Sequence, residues 1–282
     1  MKKLDCTDKQ LLVPGLKNSV RILHVTDCHA VMTDSRDEGY VIEDGAHKGK
    51  LLTDFGAMRY KHFCVGDKSS AQRFSELCDA IRDDPDCADA VVFTGDILDF
   101  YTPGAFDFVV ENLKKITLPV MFVPGNHDMI FSKMTKAETR RIFDPLCGGS
   151  TYIQKMNIGG LALIGLDNTD NFYHDQTLDG LRDAMEGEEK VILFQHVPLC
   201  TGHLHEYTLS RKAHDYSLGN EGVCAGDSWK EIFGVIEAPD SKVRALICGD
   251  CHFDYSGPIG GAVQFTSPLA AEYPPVKFTF HG

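Results

Sequence analysis

The sequence predicts an α/β fold built on a mainly parallel β-sheet whose faces are covered by helices. Two observations support this prediction. Short apolar runs alternate with segments whose apolar residues recur at helical spacing, a pattern that is typical of βαβ units. Five of the apolar runs are followed closely by Asp, Asn or His, and parallel sheets bind their ligands where strands end.

Length and composition favour a single globular domain. The chain has 282 residues, of which 43% are hydrophobic and 24% are charged, as in soluble proteins. No linker or repeat divides it, so we expect one domain over residues 1–282. Its motif-bearing core covers about residues 20–255, and residues 256–282 add strands. The net charge of -13 argues against duplex nucleic acid as a partner, although a metal centre would still admit a small phosphorylated substrate.

The cysteines and the amino terminus suggest a cytoplasmic protein. Cys248 and Cys251 have Cys-x-x-Cys spacing, but a structural zinc site would need a second such pair. We therefore interpret most of the ten cysteines as reduced core residues. The segment Met1-Lys2-Lys3-Leu4-Asp5 lacks the apolar region of a signal peptide, and no run is long enough to span a membrane.

Three strands predicted in the first half end in polar residues. We expect strands over residues 20–26, 90–94 and 118–123, and helices over residues 69–83 and 106–115. Asp27 and His29 follow the first strand, and in an extended strand end residues two apart point to the same side. Asp96 follows the second strand, and the turn Gly125-Asn126-His127-Asp128 follows the third.

Two more strands with polar ends are predicted in the second half. Residues 191–194 lead to His196, and residues 243–248 lead to Asp250 and His252. Residues 151–158 and 161–166 predict a hairpin, because Gly159-Gly160 joins them. We also expect helices over 136–143 and 176–185, a helix opened by a capping box at Ser228 to Glu231, and late strands over 262–266 and 276–280.

The polar strand ends occur in a characteristic order along the chain. Asp-x-His, Gly-Asp, Gly-Asn-His-Asp, a single His and Gly-Asp-x-His follow one another. In order and spacing this resembles the calcineurin-like metallophosphoesterase family, which ends instead in Gly-His-x-His. The resemblance covers about residues 20–255. Each motif alone is weakly diagnostic, but the joint pattern is specific.

The resemblance implies a four-layer α/β/β/α sandwich with two divalent metal ions. The implied ligands are Asp27, His29 and His252 for the first ion, a bridging Asp96, and Asn126 and His196 for the second. In such sites the metal pair lowers the pKa of a bridging water, which attacks phosphorus as hydroxide. The resemblance also implies that His127 assists the leaving group and that Asp128 orients its imidazole.

Asp250 departs from the family pattern, because it stands where the family has His. As a ligand of the second ion it would make that site harder and favour Mn, Fe or Mg over Zn, with Mn or Fe preferred overall. The opposing interpretation is a loosely bound second ion and a weak or silent enzyme. Gly202-His203-Leu204-His205 matches the family's last motif literally, but it does not follow a strand. We therefore assign His203 and His205 to a solvated loop or to the substrate mouth, with a replacement metal ligand as the third alternative for one of them.

The expected function is hydrolysis of a small phosphomonoester or phosphodiester. The alternative is a catalytically silent relative that binds metal and a phosphorylated ligand. Residues 30–68 show little periodicity, and such a long connection is often functional. Its candidates for contacting an anion are Arg59, Lys61 and His62, although a solvated surface loop is equally compatible. The remaining polar candidates are assigned structural or surface roles: Asp99, His24 and His214.

Overall fold

The computed structural model describes residues 3–43, 45–131, 133–220, 223 and 226–282. Its strands are β1 (Thr7–Leu12), β2 (Val20–Val25), β3 (Ala90–Thr94), β4 (Val120–Val123), β5 (Ile153–Ile158), β6 (Leu161–Leu166), β7 (Val191–Gln195), β8 (Val243–Cys248), β9 (Tyr255–Ile259), β10 (Ala262–Thr266) and β11 (Val276–His281). Its α-helices are α1 (Leu52–His62), α2 (Ser70–Asp83), α3 (Pro103–Leu113), α4 (Lys136–Phe143), α5 (Asp175–Met185), α6 (Gly202–Ser210) and α7 (Trp229–Glu237).

The strands form two sheets that pack face to face. The first sheet has the order β1-β11-β2-β3-β4, and the second has the order β5-β6-β7-β8-β10-β9. Ile22 of the first sheet and Leu163 of the second belong to one buried apolar cluster between them. Helices α2 and α3 cover the outer face of the first sheet, where Phe74 is buried. Helices α5 and α7 cover the second sheet, where Leu181 is buried. The predicted α/β/β/α sandwich is confirmed.

Parallel pairing brings the ends of the central strands to one edge of the sandwich. Strand β3 pairs in parallel with β2 and β4, and β7 pairs in parallel with β6 and β8. The two sheets are joined at this edge, because Nδ1 of His196, after β7, lies 2.7 Å from the carbonyl oxygen of Thr94 in β3. The carboxyl ends of both sheets therefore border a common site.

Four elements were not predicted from the sequence. Strand β1 is polar and largely exposed, and it pairs only with β11. Strand β9 contains Gly and Pro and pairs only with β10. Helix α1 lies in residues 30–68, which show little periodicity, and helix α6 lies in residues 200–227, where no element was predicted; each helix buries only two or three residues. Edge strands and helices with so few buried positions carry no clear apolar period. Positions 44, 221, 222, 224 and 225 of those stretches lie outside the described residues.

The predicted capping box at Ser228 is wrong. Helix α7 does begin at Trp229, but Ser228 has helical backbone angles and its side chain caps no backbone N–H of the helix. The Ser228 hydroxyl instead accepts a hydrogen bond from the backbone N–H of Tyr173 at 2.8 Å. A tertiary contact has therefore replaced the local one that the sequence pattern favours.

Candidate metal centre

The first group of candidate ligands contains Asp27, His29 and His252. One ligand atom from each side chain lies within 4.8 Å of the other two. Nε2 of His252 lies 3.2 Å from Oδ1 of Asp27 and 3.3 Å from Nε2 of His29. The other oxygen of Asp27 accepts hydrogen bonds from the Thr26 hydroxyl and from the Asp250 backbone N–H. Oδ1 of Asp27 therefore remains available to a cation.

The second group contains Asp27, Asp96 and His196, again with one ligand atom each within 4.8 Å. Nε2 of His196 lies 3.2 Å from Oδ2 of Asp96 and 3.6 Å from Oδ1 of Asp250. Because Nδ1 of His196 faces a carbonyl oxygen, Nε2 is the ring nitrogen that faces these carboxylates and that would bind a cation. Oδ2 of Asp96 also lies 3.8 Å from Nε2 of His29, so this oxygen stands between the two groups.

The candidate ligands share an unusual backbone conformation. Asp27, His29, Asp96, Asp250 and His252 have φ values between 43° and 64°, in the left-handed region that non-glycine residues rarely occupy. They make up five of the eight such residues in the described part of the chain. Each left-handed residue costs on the order of 1–3 kcal/mol, and such strain concentrates at functional sites.

The backbone at Asp27 and His29 differs from the expected extended strand end. Strand β2 stops at Val25, and the left-handed residues then bring both side chains to the same site. The predicted convergence is therefore observed, but by a different geometry. Cys28 is buried in the apolar cluster on the outer side of the first sheet, so the turn separates it from its two neighbours.

The turn after β4 is held against the turn after β3 by two glycines. A Cβ atom on Gly125 would lie 2.3 Å from Oδ1 of Asp96, and one on Gly95 would lie 2.3 Å from the backbone nitrogen of Gly125. Only glycine permits this approach. The backbone N–H of His127 donates to Oδ1 of Asp96 at 2.8 Å. This contact brings the Asn126 turn up to the candidate ligand groups.

Asp128 does not orient the His127 imidazole, contrary to the expectation from the family pattern. Its buried carboxylate accepts hydrogen bonds from the backbone N–H groups of Asp96, Leu98 and Gly125, at 2.8–3.0 Å. Burial and the nearby Asp96 carboxylate raise the pKa of Asp128 to about 7. Asp128 therefore positions the two turns.

Asp99 occupies the position beside the imidazoles that the sequence assigned to Asp128. Its Oδ1 lies 3.0 Å from Nδ1 of His29 and 3.5 Å from Nδ1 of His127. The Asp99 carbonyl oxygen accepts from His127 Nδ1 at 2.7 Å. Arg59 donates two hydrogen bonds to the same carboxylate, at 2.7 and 2.5 Å. The sequence placed Asp99 three residues after Asp96 in the same turn, which is a signal for its role, whereas it suggested Arg59 only as a contact for an anion.

Four buried polar atoms at this edge have no hydrogen-bond partner among the described residues. They are Asp27 Oδ1, Asn126 Oδ1, His196 Nε2 and Asp250 Oδ2. Buried polar groups without partners are costly and rare. All four atom types are ordinary metal ligands, so the residues present fit divalent cations.

The electrostatics of the site also fit cation binding. Burial lowers the pKa of His196, but the carboxylates of Asp96, Asp27 and Asp250 outweigh that effect and raise it well above the ordinary value. Burial raises the pKa of Asp250 to about 6. Several carboxylates therefore face one another at this edge. A cation would relieve their repulsion.

The other polar candidates lie apart from these groups. Lys61 and His62 are exposed on α1. His24 is buried, with its ring nitrogens 2.7 Å from the Ser267 hydroxyl and 2.6 Å from the Thr94 hydroxyl. His203 and His205 lie on α6. His214 packs against the ring of Tyr216. Within the described residues, none of the helices combines the length and apolarity that a membrane span needs.

Comparison with known proteins gives a family and two curated relatives. The family described as calcineurin-like phosphoesterase matches residues 20–252. A Coxiella burnetii protein named as a probable cyclic nucleotide phosphodiesterase is 26% identical over 172 residues, or 60% of this chain and 62% of that protein. A Fibrobacter succinogenes protein named likewise is 29% identical over 113 residues, or 40% of this chain and 43% of that protein. The chain thus spans less than two thirds of either relative.

Among solved structures, the purple acid phosphatase PPD1 from yellow lupin seeds has a similar fold. The TM-score is 0.50 at 11% sequence identity, and the match covers 93% of this chain and 46% of the lupin chain. At this identity the likeness concerns the fold alone. It agrees with the two packed sheets flanked by helices.

Proposed function

The chain belongs to the calcineurin-like phosphoesterase family, and on this basis we propose that it hydrolyses a small phosphodiester with the help of two divalent metal ions. The observation that carries the proposal is the set of four buried atoms without hydrogen-bond partners at the shared edge of the two sheets. They come from segments after four different strands. A structural role alone would not leave so many buried polar atoms unpaired in one place.

The ligand assignment starts from the two groups of side chains and adds Asn126 and Asp250, which have free atoms at the same edge. Asp27, His29 and His252 would hold the first ion, and Asp96 would be shared by both. The position of Asp96 Oδ2 between His29 and His196 supports that bridging role. The second ion takes Asn126, His196 and Asp250, whose free atoms are two oxygens and one nitrogen.

The chemistry divides between the ions and the chain. Bound divalent ions lower the pKa of a water, so that a nucleophile is available near neutral pH, and they neutralise phosphate charge. His127 acts on the leaving oxygen. Its Nδ1 is occupied by the Asp99 carbonyl oxygen, so Nε2 is the atom that passes a proton to that oxygen. Asp128 holds both turns in place through three backbone N–H groups.

The second site is richer in oxygen than the first. Asp96, Asn126 and Asp250 offer oxygen atoms, and His196 offers the single nitrogen. Oxygen ligands favour hard cations such as Mn²⁺, Fe²⁺ and Mg²⁺ over Zn²⁺. We therefore propose manganese or iron as the native metals, with zinc or magnesium as weaker substitutes.

A single-domain organisation is proposed for residues 1–282. The carboxyl-terminal strands support it, because β10 lies within the second sheet and β11 lies between β1 and β2 in the first. Removing residues 256–282 would therefore open both sheets. This part of the chain belongs to the scaffold that positions the site.

The choice of a diester over a monoester rests on the names of the two curated relatives. The test uses protein stripped of metal and reloaded with Mn²⁺, assayed with an aryl phosphodiester, an aryl phosphomonoester and a 3′,5′-cyclic nucleotide. We expect Mn²⁺-dependent turnover of the diesters. Turnover confined to the monoester would overturn the substrate class but leave the metal site standing.

Asp250 supports a second candidate, a silent relative that binds metal and a phosphorylated ligand. This residue adds negative charge where an anionic phosphate would bind, and it is partly buried, with one oxygen that has no hydrogen-bond partner among the described residues. Full occupancy by two manganese ions without turnover of any of the three substrates would favour this candidate.

A further inference from the structure

Three side chains outside the proposed dinuclear centre converge at one point. They are Cys200 in the loop after β7, His205 on α6 and Asp215 in the segment after α6. The Cys200 sulfur, a His205 ring nitrogen and an Asp215 carboxylate oxygen all lie within 4.8 Å of one another. None of the three belongs to the ligand groups described above.

The backbone around this cluster is fixed from both sides. The N–H of Cys200 donates to the carbonyl oxygen of Leu218 at 2.7 Å, and the N–H of Leu218 donates to that of Pro198 at 2.8 Å. These bonds join the loop after β7 to the segment after Asp215. Thr201 caps the start of α6 by accepting from the backbone N–H of Leu204, which sets the direction of the helix that carries His205.

Hydrogen bonds also hold the Asp215 carboxylate in place. Asp215 is buried, and its Oδ1 accepts a hydrogen bond from the backbone N–H of Ser217 at 2.9 Å and another from its hydroxyl. Its Oδ2 lies 2.7 Å from Nδ1 of His205. One carboxylate oxygen is thus anchored, and the other faces the imidazole.

We propose that Cys200, His205 and Asp215 form a third metal site, which binds a single zinc-like cation. Thiolate, imidazole and carboxylate are the three ligand classes that zinc uses, and three protein ligands leave a fourth position for water or another donor. This set contains sulfur, whereas the proposed dinuclear centre offers only nitrogen and oxygen. The two kinds of site would therefore select different metals.

The His205–Asp215 pair requires only a small adjustment to bind one ion. Two ligands of a tetrahedral zinc ion with bonds of about 2.0 Å lie about 3.3 Å apart, whereas the facing atoms of His205 and Asp215 are 2.7 Å apart. Binding would replace the proton between this pair with the metal and would release the thiol proton of Cys200. Metal uptake should therefore release protons and weaken as the pH falls.

The site would fasten α6 next to a segment of the proposed active centre. Leu204, which precedes His205 on α6, is buried against Phe253 and Tyr255, and this apolar contact follows directly after His252. A metal at the cluster would tie together the loop after β7, helix α6 and the segment before Ser217. It would thus stabilise the packing of α6 against Phe253 and Tyr255, which follow His252 in the chain.

Cobalt(II) gives a spectroscopic signal that the proposed dinuclear centre cannot produce. A thiolate bound to Co²⁺ gives an intense near-ultraviolet charge-transfer absorption, and the proposed dinuclear ligands include no sulfur. We expect full-length protein stripped of metal to develop this absorption on titration with Co²⁺ and to lose it when Zn²⁺ is added. Cys200→Ser should abolish it, and His205→Ala should weaken Co²⁺ binding by about tenfold or more.

Two matched variants make the result specific. His203 lies two residues before His205 on α6 and is exposed, so His203→Ala should leave the absorption unchanged. Cys251 lies between the proposed ligands Asp250 and His252, so Cys251→Ser tests whether sulfur reaches Co²⁺ from there instead. An absorption that survives Cys200→Ser but not Cys251→Ser, or no absorption in the wild-type protein, would overturn the proposal. Far-ultraviolet circular dichroism verifies that each variant is folded. If Cys200→Ser does not fold, His205→Ala still tests the site independently.

Discussion

Nδ1 of His29 lies 3.0 Å from Oδ1 of Asp99, and this contact connects a candidate metal ligand to a carboxylate outside the two proposed ligand sets. Asp99 is fully buried and is held from the other side by Arg59. A carboxylate behind a metal-binding imidazole fixes its orientation and raises its basicity as a ligand. Arg59, which the sequence suggested as an anion contact, is therefore committed to orienting the site.

Replacing Asp99 should weaken metal binding without removing a ligand. We expect Asp99→Asn to lower the affinity for Mn²⁺ by about 10- to 100-fold, the usual effect of losing such a partner. Equilibrium dialysis with metal analysis measures this change. Asp54→Asn is the matched control, since Asp54 is exposed on α1. Equal affinities for the two variants would show that Asp99 has only a structural role.

His127 should affect turnover and leave metal content intact. Loss of a general acid typically costs about 10²- to 10⁴-fold in rate, so we expect a fall of that size in His127→Ala with an alkyl phosphodiester. An aryl diester has a better leaving group and needs less protonation, so its rate should fall much less. Loss of bound metal in this variant, measured by elemental analysis, would instead identify His127 as a ligand.

Asp250 should determine which metal the second site prefers. We expect Asp250→Ala to bind one ion normally and the other weakly, whereas Asp250→His should keep two ions and shift the preference toward Zn²⁺, because imidazole replaces an oxygen ligand. Competition between Mn²⁺ and Zn²⁺, followed by elemental analysis, measures both effects. Unchanged occupancy in Asp250→Ala would show that this carboxylate binds no metal.

Gly125 should tolerate no side chain, because the turn after β4 is pressed onto Asp96. A Cβ atom there would lie 2.3 Å from Oδ1 and 2.4 Å from the backbone nitrogen of Asp96. We expect Gly125→Ala to destabilise the protein by about 1–3 kcal/mol, the usual cost of overpacking, and to reduce metal content. Gly234→Ala on α7 has open space around it and should be neutral or slightly stabilising. Urea unfolding compares the two, and similar stabilities would contradict the packing argument.

The strands and the motif residues were predictable because both are local signals. Buried strands such as β3 and β8 appear as short apolar runs, and their polar ends follow directly in the sequence. What could not be predicted depends on long-range contacts. Arg59 reaches Asp99 across 40 residues of sequence. Asp and His are enriched in the left-handed region, but their presence alone does not identify which of them adopt it. Asp128 is an example. The sequence motif identifies it as a site residue, but its hydrogen-bond partners depend on how the turns pack in the fold.

The ion-pair network at Asp170 should make stability depend on pH in acid. Burial would raise the pKa of Asp170, but hydrogen bonds from Lys136 and His174 and the charge of Arg140 lower it to about 2. The unfolded value is about 3.9, so the folded protein binds the proton less well. The resulting stabilisation is fully present above that unfolded value and is lost as the pH falls through about 2.

The difference of nearly two pKa units corresponds to about 2.5 kcal/mol, at about 1.36 kcal/mol per unit. We therefore expect metal-free Asp170→Asn to be less stable than wild type near neutral pH, and the difference to shrink as the pH falls. Asp179 pairs with Arg182 on the surface, and Asp179→Asn should show a small difference from wild type at every pH. Urea unfolding across the acid range measures both series. A constant gap for Asp170→Asn would mean that the network contributes packing and not charge.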